Sequence, residues 1–188
     1  MELMNFISVY DDILSETINK KLLKVCKNFD WEDALVGEGP AVLNKDIRNV
    51  KKHDLSDIHN SMTSVHWYNV LEKIFKNNLT KYVNNNKFID IYSDRIETIQ
   101  VLKYNKNNHY VWHYDGGMGF NRTFSLIYFL NEDYEGGELC FRNPDGTGEF
   151  TIPKKKNRVI IWPSCFLYPH TVKPITNGER YSIVAWTT

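Results

Sequence analysis

Apolar and polar positions divide the chain into two parts with different periods. In the first part, Ile13, Leu14, Ile18, Leu22 and Val25 recur at helical spacing and predict a helix ending near Phe29. Asp11 or Asp12 is placed to cap it, because a side-chain oxygen there accepts from a free first-turn amide. Ahead of it, Phe6 to Tyr10 reads as a short opening strand. Trp67, Val70, Leu71, Ile74 and Phe75 form a second stripe reaching about Asn78. Leu79 to Val83 continues it after a break, Asn84-Asn85-Asn86 ends it, and Ser56 or Asp57 is the expected cap. Between the helices, residues 31–49 are less periodic. Gly37, Gly39 and Pro40 mark a loop, in a region expected to carry a strand near the mouth of a site. A Trp, Leu and Phe stripe marks a core-facing helix, so these helices are expected to support a site rather than to form one.

From about Ile89 the period shortens, and β-branched and aromatic runs alternate with turn residues. Strands are expected over 96–104, 110–114, 124–130, 138–142, 148–152, 158–162, 167–172 and 181–187. Asn105 to Asn108, Glu135-Gly136-Gly137, Asn143 to Gly146 and Thr176-Asn177-Gly178 read as the turns between them. So many closely spaced strands predict a sandwich or small barrel, with the earlier helices packed on one face. The fold class is α+β, in one domain over residues 1–188. Residues 1–90 are mainly helical support and 91–188 form the sheet core.

Composition narrows the partners. The chain of 188 residues can bury a sizeable core, and its 23 basic and 23 acidic side chains give zero net charge. Bulk electrostatics therefore favours no nucleic acid. Lys154-Lys155-Lys156 reads as a solvated turn. Cys26, Cys140 and Cys165 are odd in number and far apart, which fits small core hydrophobes in a reducing compartment better than disulfides or zinc. The N-terminus lacks signal-peptide order and no apolar run approaches membrane-span length, so a soluble, cytoplasmic protein is expected.

The chemistry gathers around His109-Tyr110-Val111-Trp112-His113-Tyr114-Asp115. On a strand, His113 and Asp115 leave the same face and Tyr114 the other. An imidazole and a carboxylate supply two ligands for a divalent metal, and His170 offers a third. Two histidines and one carboxylate make the facial triad that leaves metal positions open. Arg180, ten residues on, adds a forked cation suited to a carboxylate. Tyr110 and Trp112 flank the ligands and are expected to wall the pocket. His53, His59, His66 and His109 have no assigned role. Val36 to Asn44 and the glycine-bearing Gly116 to Asn121 are candidate mobile loops.

These residues resemble the 2-oxoglutarate and iron(II)-dependent dioxygenases, in the prolyl 4-hydroxylase-like branch. The resemblance covers Ile96 to Trp186. It rests on Tyr104 through Asp115, Arg122 through Asn131, Glu135 through Phe141, His170, and Arg180 ahead of Trp186. It implies a double-stranded β-helix, or jelly roll. It also implies Fe(II) on His113, Asp115 and His170, with 2-oxoglutarate and O2 taking the open positions and ascorbate as a further cofactor. Arg180 would hold the C5 carboxylate of 2-oxoglutarate and Tyr104 would contact that cosubstrate; Trp186, Thr171 and Ser182 are weaker candidates. Branch members usually carry lysine where this chain has Arg180, and arginine occurs in oxygen-sensing relatives. The implied reaction is hydroxylation of an unactivated C–H, foremost of a peptidyl proline in a peptide or protein substrate, with release of succinate and CO2. Hydroxylation of another side chain or a small metabolite, and a non-catalytic metal-binding jelly roll, are the alternatives.

Overall fold

The computed structural model describes residues 3–37, 41–57, 61–86, 95–117, 119 and 121–188. Gly39, Pro40, His59, Met118, Phe120 and the change of period expected near Ile89 lie outside them. After a 3-10 turn at Leu3–Phe6 come β1 (Ser8–Asp11), α1 (Glu16–Cys26), β2 (Glu32–Asp33), β3 (Arg48–Asn49), β4 (Lys51–Asp54) and α2 (Met62–Asn85). Then follow β5 (Ile96–Tyr104), β6 (His109–His113), β7 (Phe124–Phe129), β8 (Glu135–Gly136) and β9 (Leu139–Phe141). The last are β10 (Phe150–Ile152), β11 (Arg158–Pro163), β12 (His170–Val172), β13 (Ile175–Asn177) and β14 (Arg180–Thr187).

Two antiparallel sheets make the body. The larger runs β1-β11-β7-β14-β5-β4-β2 and the smaller β10-β9-β12-β6-β3, while β8 and β13 pair separately. Alternation along the large sheet explains its continuous burial. Ile99, Val101, Leu126, Tyr128, Ile183 and Ala185 share one apolar cluster with Leu22 of α1 and with Leu71, Phe75 and Tyr82 of α2. Leu102, Tyr104, Ile127, Phe129, Val184 and Trp186 point the other way, into a cluster with Leu139, Phe141 and Val172 of the small sheet. With both faces covered, β7 and β14 are buried at every position.

Several expected boundaries move for local reasons. Ser15, not Asp11 or Asp12, caps α1, and its hydroxyl accepts from Ile18 N. Asp11 is the last residue of β1 and is taken up by Arg158. Ser61, not Ser56 or Asp57, caps α2, because Asp54 and Ser56 are spent on the neighbouring strand, where Ser56 Oγ accepts from Ile99 N. α2 runs unbroken through residues 78 and 79, since Asn78 donates to the Ile74 carbonyl and stays inside the helix. The first part of the chain also supplies four short strands. β1 and β2 edge the large sheet and β3 edges the small one. The Lys154-Lys155-Lys156 run is more than a solvated turn: Lys155 pairs with Asp11 and Asp12 and Lys156 with Glu16, tying the start of the chain to β11.

Candidate active site

β6 brings the first candidate ligands inward, but not by simple alternation. Against β12, His170 pairs with His113 while Val172 pairs with Tyr110, so two residues of β6, Val111 and Trp112, stand against Thr171 alone. This is a β-bulge. It turns Tyr110 and His113 to one face, where their rings stack with centroids 3.5 Å apart. The strand ends at His113, Tyr114 is exposed, and Asp115 lies in a bend beyond it. The expected strand over 110–114, with alternation carrying His113 and Asp115, is corrected accordingly. Trp112 is corrected too. It turns away from the pocket, and its ring is covered by Arg142 at 4.2 Å and Lys173 at 5.3 Å.

The three side chains still converge. His113 Nε2 lies 3.7 Å from Asp115 Oδ1, and His170 Nε2 lies 3.4 Å from Asp115 Oδ2. One ligand atom from each residue falls within 4.8 Å of the others, so the trio could hold a metal ion. Each imidazole is aimed by a carbonyl two residues behind it: His113 Nδ1 is 2.8 Å from Val111 O, and His170 Nδ1 is 3.1 Å from Tyr168 O. A carbonyl only accepts, so each Nδ1 carries the hydrogen and each Nε2 turns its lone pair to the gap. Burial, aided by the facing His170, pushes protonation of His113 down to about 3, which leaves the ring neutral. Burial opposes ionisation of Asp115. The hydrogen bonds of the Ser125 hydroxyl and the Trp186 indole favour the ionised form, and the carboxyl stays below its ordinary range.

Arg180 lies at the start of β14, on the inner face, and is 0 % exposed. Its guanidinium carbon sits 4.8 Å from the Tyr104 ring and 5.2 Å from the Phe129 ring. Among the described residues, none of its three side-chain nitrogens has a hydrogen-bond partner, and neither does the buried Ser182 hydroxyl two residues on. Gly137, at φ 66°, makes room for the arginine stem: a Cβ there would collide with Ile175 and come within 3.2 Å of Arg180 Cδ. Thr171 faces elsewhere, its hydroxyl donating to Tyr110 O at 2.7 Å.

Two pockets meet at the trio. An inner one of about 40 Å³ is walled by Leu102, Tyr104, Ile127, Leu139, Val184 and Trp186. An outer cleft of about 290 Å³ is lined by Arg48, Gln100, Tyr114, Arg122 and Trp186, with Leu35, Val36 and Gly37 at its edge. Tyr110 and Asp115 belong to both. Arg122 is held by Glu97 through two bonds of 2.8 Å and lies 4.0 Å above the Trp186 ring. Sequence reasoning gave no role to Arg48, Gln100, Ser125 or Ser164. For Ser125 a signal was present: it is a lone hydroxyl at the inward positions of an otherwise apolar strand, in phase with Ile127 and Phe129.

Residues 99–188 match the model of a family described as the 2OG-Fe(II) oxygenase superfamily, and all four candidate residues lie inside the match. That stretch is similar to the members of the superfamily. Relatives of the oxygenase domain include a PKHD-type hydroxylase of Synechococcus sp. strain CC9902, 34% identical over 96 residues, which are 49% of this chain and 41% of the relative. Prolyl 3-hydroxylase 2 of Rattus norvegicus is 37% identical over 68 residues, 36% of this chain and 10% of that protein. The chain thus spans less than half the length of these curated relatives. Among solved structures, a Trichoplax adhaerens prolyl hydroxylase in complex with a hypoxia inducible factor peptide has a TM-score of 0.80. It is 18% identical and covers 97% of this chain and 83% of its own. A Pseudomonas putida prolyl-4-hydroxylase has a TM-score of 0.71 at 19% identity, covering 96% and 91%. The chain shares their jelly-roll fold and resembles the prolyl hydroxylase branch. The family implies Fe(II) and 2-oxoglutarate, and the residues fit both. Two imidazole lone pairs and an ionised carboxylate suit a divalent transition metal, and a sealed, unpaired guanidinium suits a carboxylate. Among the described residues, no helix is long and apolar enough to cross a membrane.

Proposed function

We propose that this protein is a 2-oxoglutarate- and Fe(II)-dependent dioxygenase that hydroxylates an unactivated C–H, foremost of a peptidyl proline. His113, Asp115 and His170 would hold the metal, and Arg180 the far carboxylate of 2-oxoglutarate. The observation that carries this reading is the pairing of an open His-Asp-His trio with a buried guanidinium that has no hydrogen-bond partner among the described residues. A buried charge left unpaired costs several kcal/mol, roughly, so the fold keeps it only where an anion comes to it. Bound Fe(II), 2-oxoglutarate and O2 together supply the oxidising chemistry that places an oxygen on carbon and releases succinate and CO2. Ascorbate belongs to the same proposal as an auxiliary reductant.

The chain's own residues bind, orient and exclude water. Arg180 fixes the dicarboxylate's far end, with the idle Ser182 hydroxyl on the same face as a second donor. Tyr104 caps the guanidinium and walls the inner pocket. That pocket is narrow and mostly apolar, which limits bulk water beside the trio. Trp186 walls both pockets and steadies Asp115 through its indole. The outer cleft then receives the substrate beside the trio. The proline reading is supported by the names of the relatives and by the peptide in the Trichoplax complex. The free thiols of Cys26, Cys140 and Cys165 support a reducing, cytoplasmic setting.

The test is a peptide library incubated with the protein, Fe(II) and 2-oxoglutarate, then read by mass spectrometry. A single added oxygen on proline is expected. Oxygen found only on other side chains would overturn the proline assignment. A library left unmodified, with 2-oxoglutarate still consumed, would move the substrate to small metabolites.

A further inference from the structure

The Asp115 carboxylate is held from behind by two hydroxyls. Ser125 Oγ lies 2.6 Å from Asp115 Oδ2, and Ser164 Oγ lies 2.8 Å from Ser125 Oγ. A hydroxyl has one hydrogen, and an ionised carboxylate only accepts. Ser125 must therefore give its hydrogen to Asp115, which leaves Ser164 as the donor to Ser125. The chain of bonds has one direction, Ser164 to Ser125 to Asp115. Both serines are 1 % exposed, so water does not compete, and each bond polarises the next.

The backbone around Ser164 is fixed as well. Ser164 N donates to Thr123 O at 3.0 Å, and Ser164 O accepts from Gly116 N at 2.8 Å. Gly116 directly follows Asp115, so the segment after β11 is clamped to the ligand-bearing bend. The approach needs glycine, because a Cβ there would meet Arg122 O at 3.0 Å and Ser164 O at 3.2 Å. The bend lies outside any strand ladder, so these contacts replace the ladder as its support.

We infer that Ser125 and Ser164 are positioning residues that set the rotation of the Asp115 carboxylate. They keep one oxygen engaged, so that Asp115 serves the metal as a single-oxygen ligand and leaves the open positions free. This rests on the metal role proposed for Asp115. Groups that orient a ligand from behind are typically worth about 10- to 100-fold in metal affinity.

The test is Co(II) binding to the whole chain, without 2-oxoglutarate, followed by quenching of tryptophan fluorescence and by visible absorption. Trp162, with its ring 5.1 Å from that of His170, is a built-in reporter. Ser125→Ala and Ser164→Ala should each weaken Co(II) binding, the first by about 10- to 100-fold, and Ser125→Ala should change the absorption band as the carboxylate swings. In the double variant, the Ser164→Ala effect should vanish, because its path to Asp115 runs through Ser125. Additive effects, or a wild-type affinity and spectrum in Ser125→Ala, would overturn the relay while wild-type Co(II) binding leaves the metal reading standing. Absence of Co(II) binding in the wild type would overturn both. Should Ser125→Ala fold poorly, Ser164→Ala alone decides, since it touches no ligand: a normal Co(II) affinity there ends the proposal.

Discussion

Arg180 lies directly opposite Tyr104 across the β14–β5 pair, and its guanidinium is covered by the Tyr104 ring on one side and Phe129 on the other. The arrangement seals a cation without supplying a hydrogen-bonded counter-charge among the described residues. In the apoprotein this costs stability, which the dicarboxylate proposed to bind there would recover.

Replacing Arg180 should therefore act in opposite senses on the two states. Arg180→Met keeps the apolar stem and removes the charge, so the apoprotein should melt higher, in line with a gain of roughly 1–4 kcal/mol when a buried charge gives way to a hydrophobe. Wild-type protein with metal should gain about 2.7 kcal/mol from 2-oxoglutarate at a hundred times its Kd, and Arg180→Met should gain almost none. Thermal melts without O2 measure both. Equal stabilisation of the two proteins would move the carboxylate contact elsewhere.

A second expectation concerns how α1 is fixed to the sheet. The Tyr128 hydroxyl reaches through the helix-side cluster to lie 2.6 Å from Asn19 Oδ1 and 2.7 Å from Asn157 Oδ1. Asn19 in turn donates to Leu130 O, and Asn157 to Leu14 O. Tyr128→Phe leaves buried amide groups short of a partner, at a cost of about 1–3 kcal/mol. Denaturant unfolding should show that loss with Co(II) affinity unchanged. No loss would mean that apolar contact alone holds the helix.

The acid side of the stability profile should carry the signature of Asp11. The Arg158 guanidinium, bonded at 2.7 Å, holds the Asp11 carboxyl down at about 2, with Lys155 assisting. A depressed carboxyl stabilises the fold above its ordinary value, and that contribution is lost as pH falls through the folded value. The Asp11 side chain is 34% exposed, so after screening the contribution is at most about 1 kcal/mol. Asp11→Asn should be slightly less stable than wild type at neutral pH, by less in high salt, and equal to it near pH 2. A gap that persists in acid would assign the effect to packing.

Much of this was legible in the chain. The long strands of the second part announced themselves because burial on both faces demands unbroken apolar runs, as in Phe124–Phe129. The four candidate residues stood out by the spacing of His113 and Asp115, the distal His170 and Arg180 ten residues on, together with the family resemblance. The bulge in β6 left no mark, since Val111 and Trp112 suit a regular strand as well as an irregular one. The opening strand was legible, but the strand at Lys51–Asp54 was hidden for another reason. Lys51–Asp54 is charged and only half-buried, an inner strand held by its ladders to β5 and β2 rather than by an apolar face. Ser61 as the cap of α2 depended on how Ser56 was already used, which is a tertiary fact. The supports of Asp115 likewise come from three separate segments, around Gly116, Ser125 and Ser164, that only the fold brings together.

The most direct test of the central claim is succinate release from 2-oxoglutarate by the protein with Fe(II) in air, compared with His170→Ala. Slow release is expected even without a prime substrate. It should require added Fe(II), and His170→Ala should abolish it while the variant keeps its fold by circular dichroism. Release by a folded His170→Ala protein equal to that of wild type, or none by wild type under any supply of metal and peptide, would contradict the account.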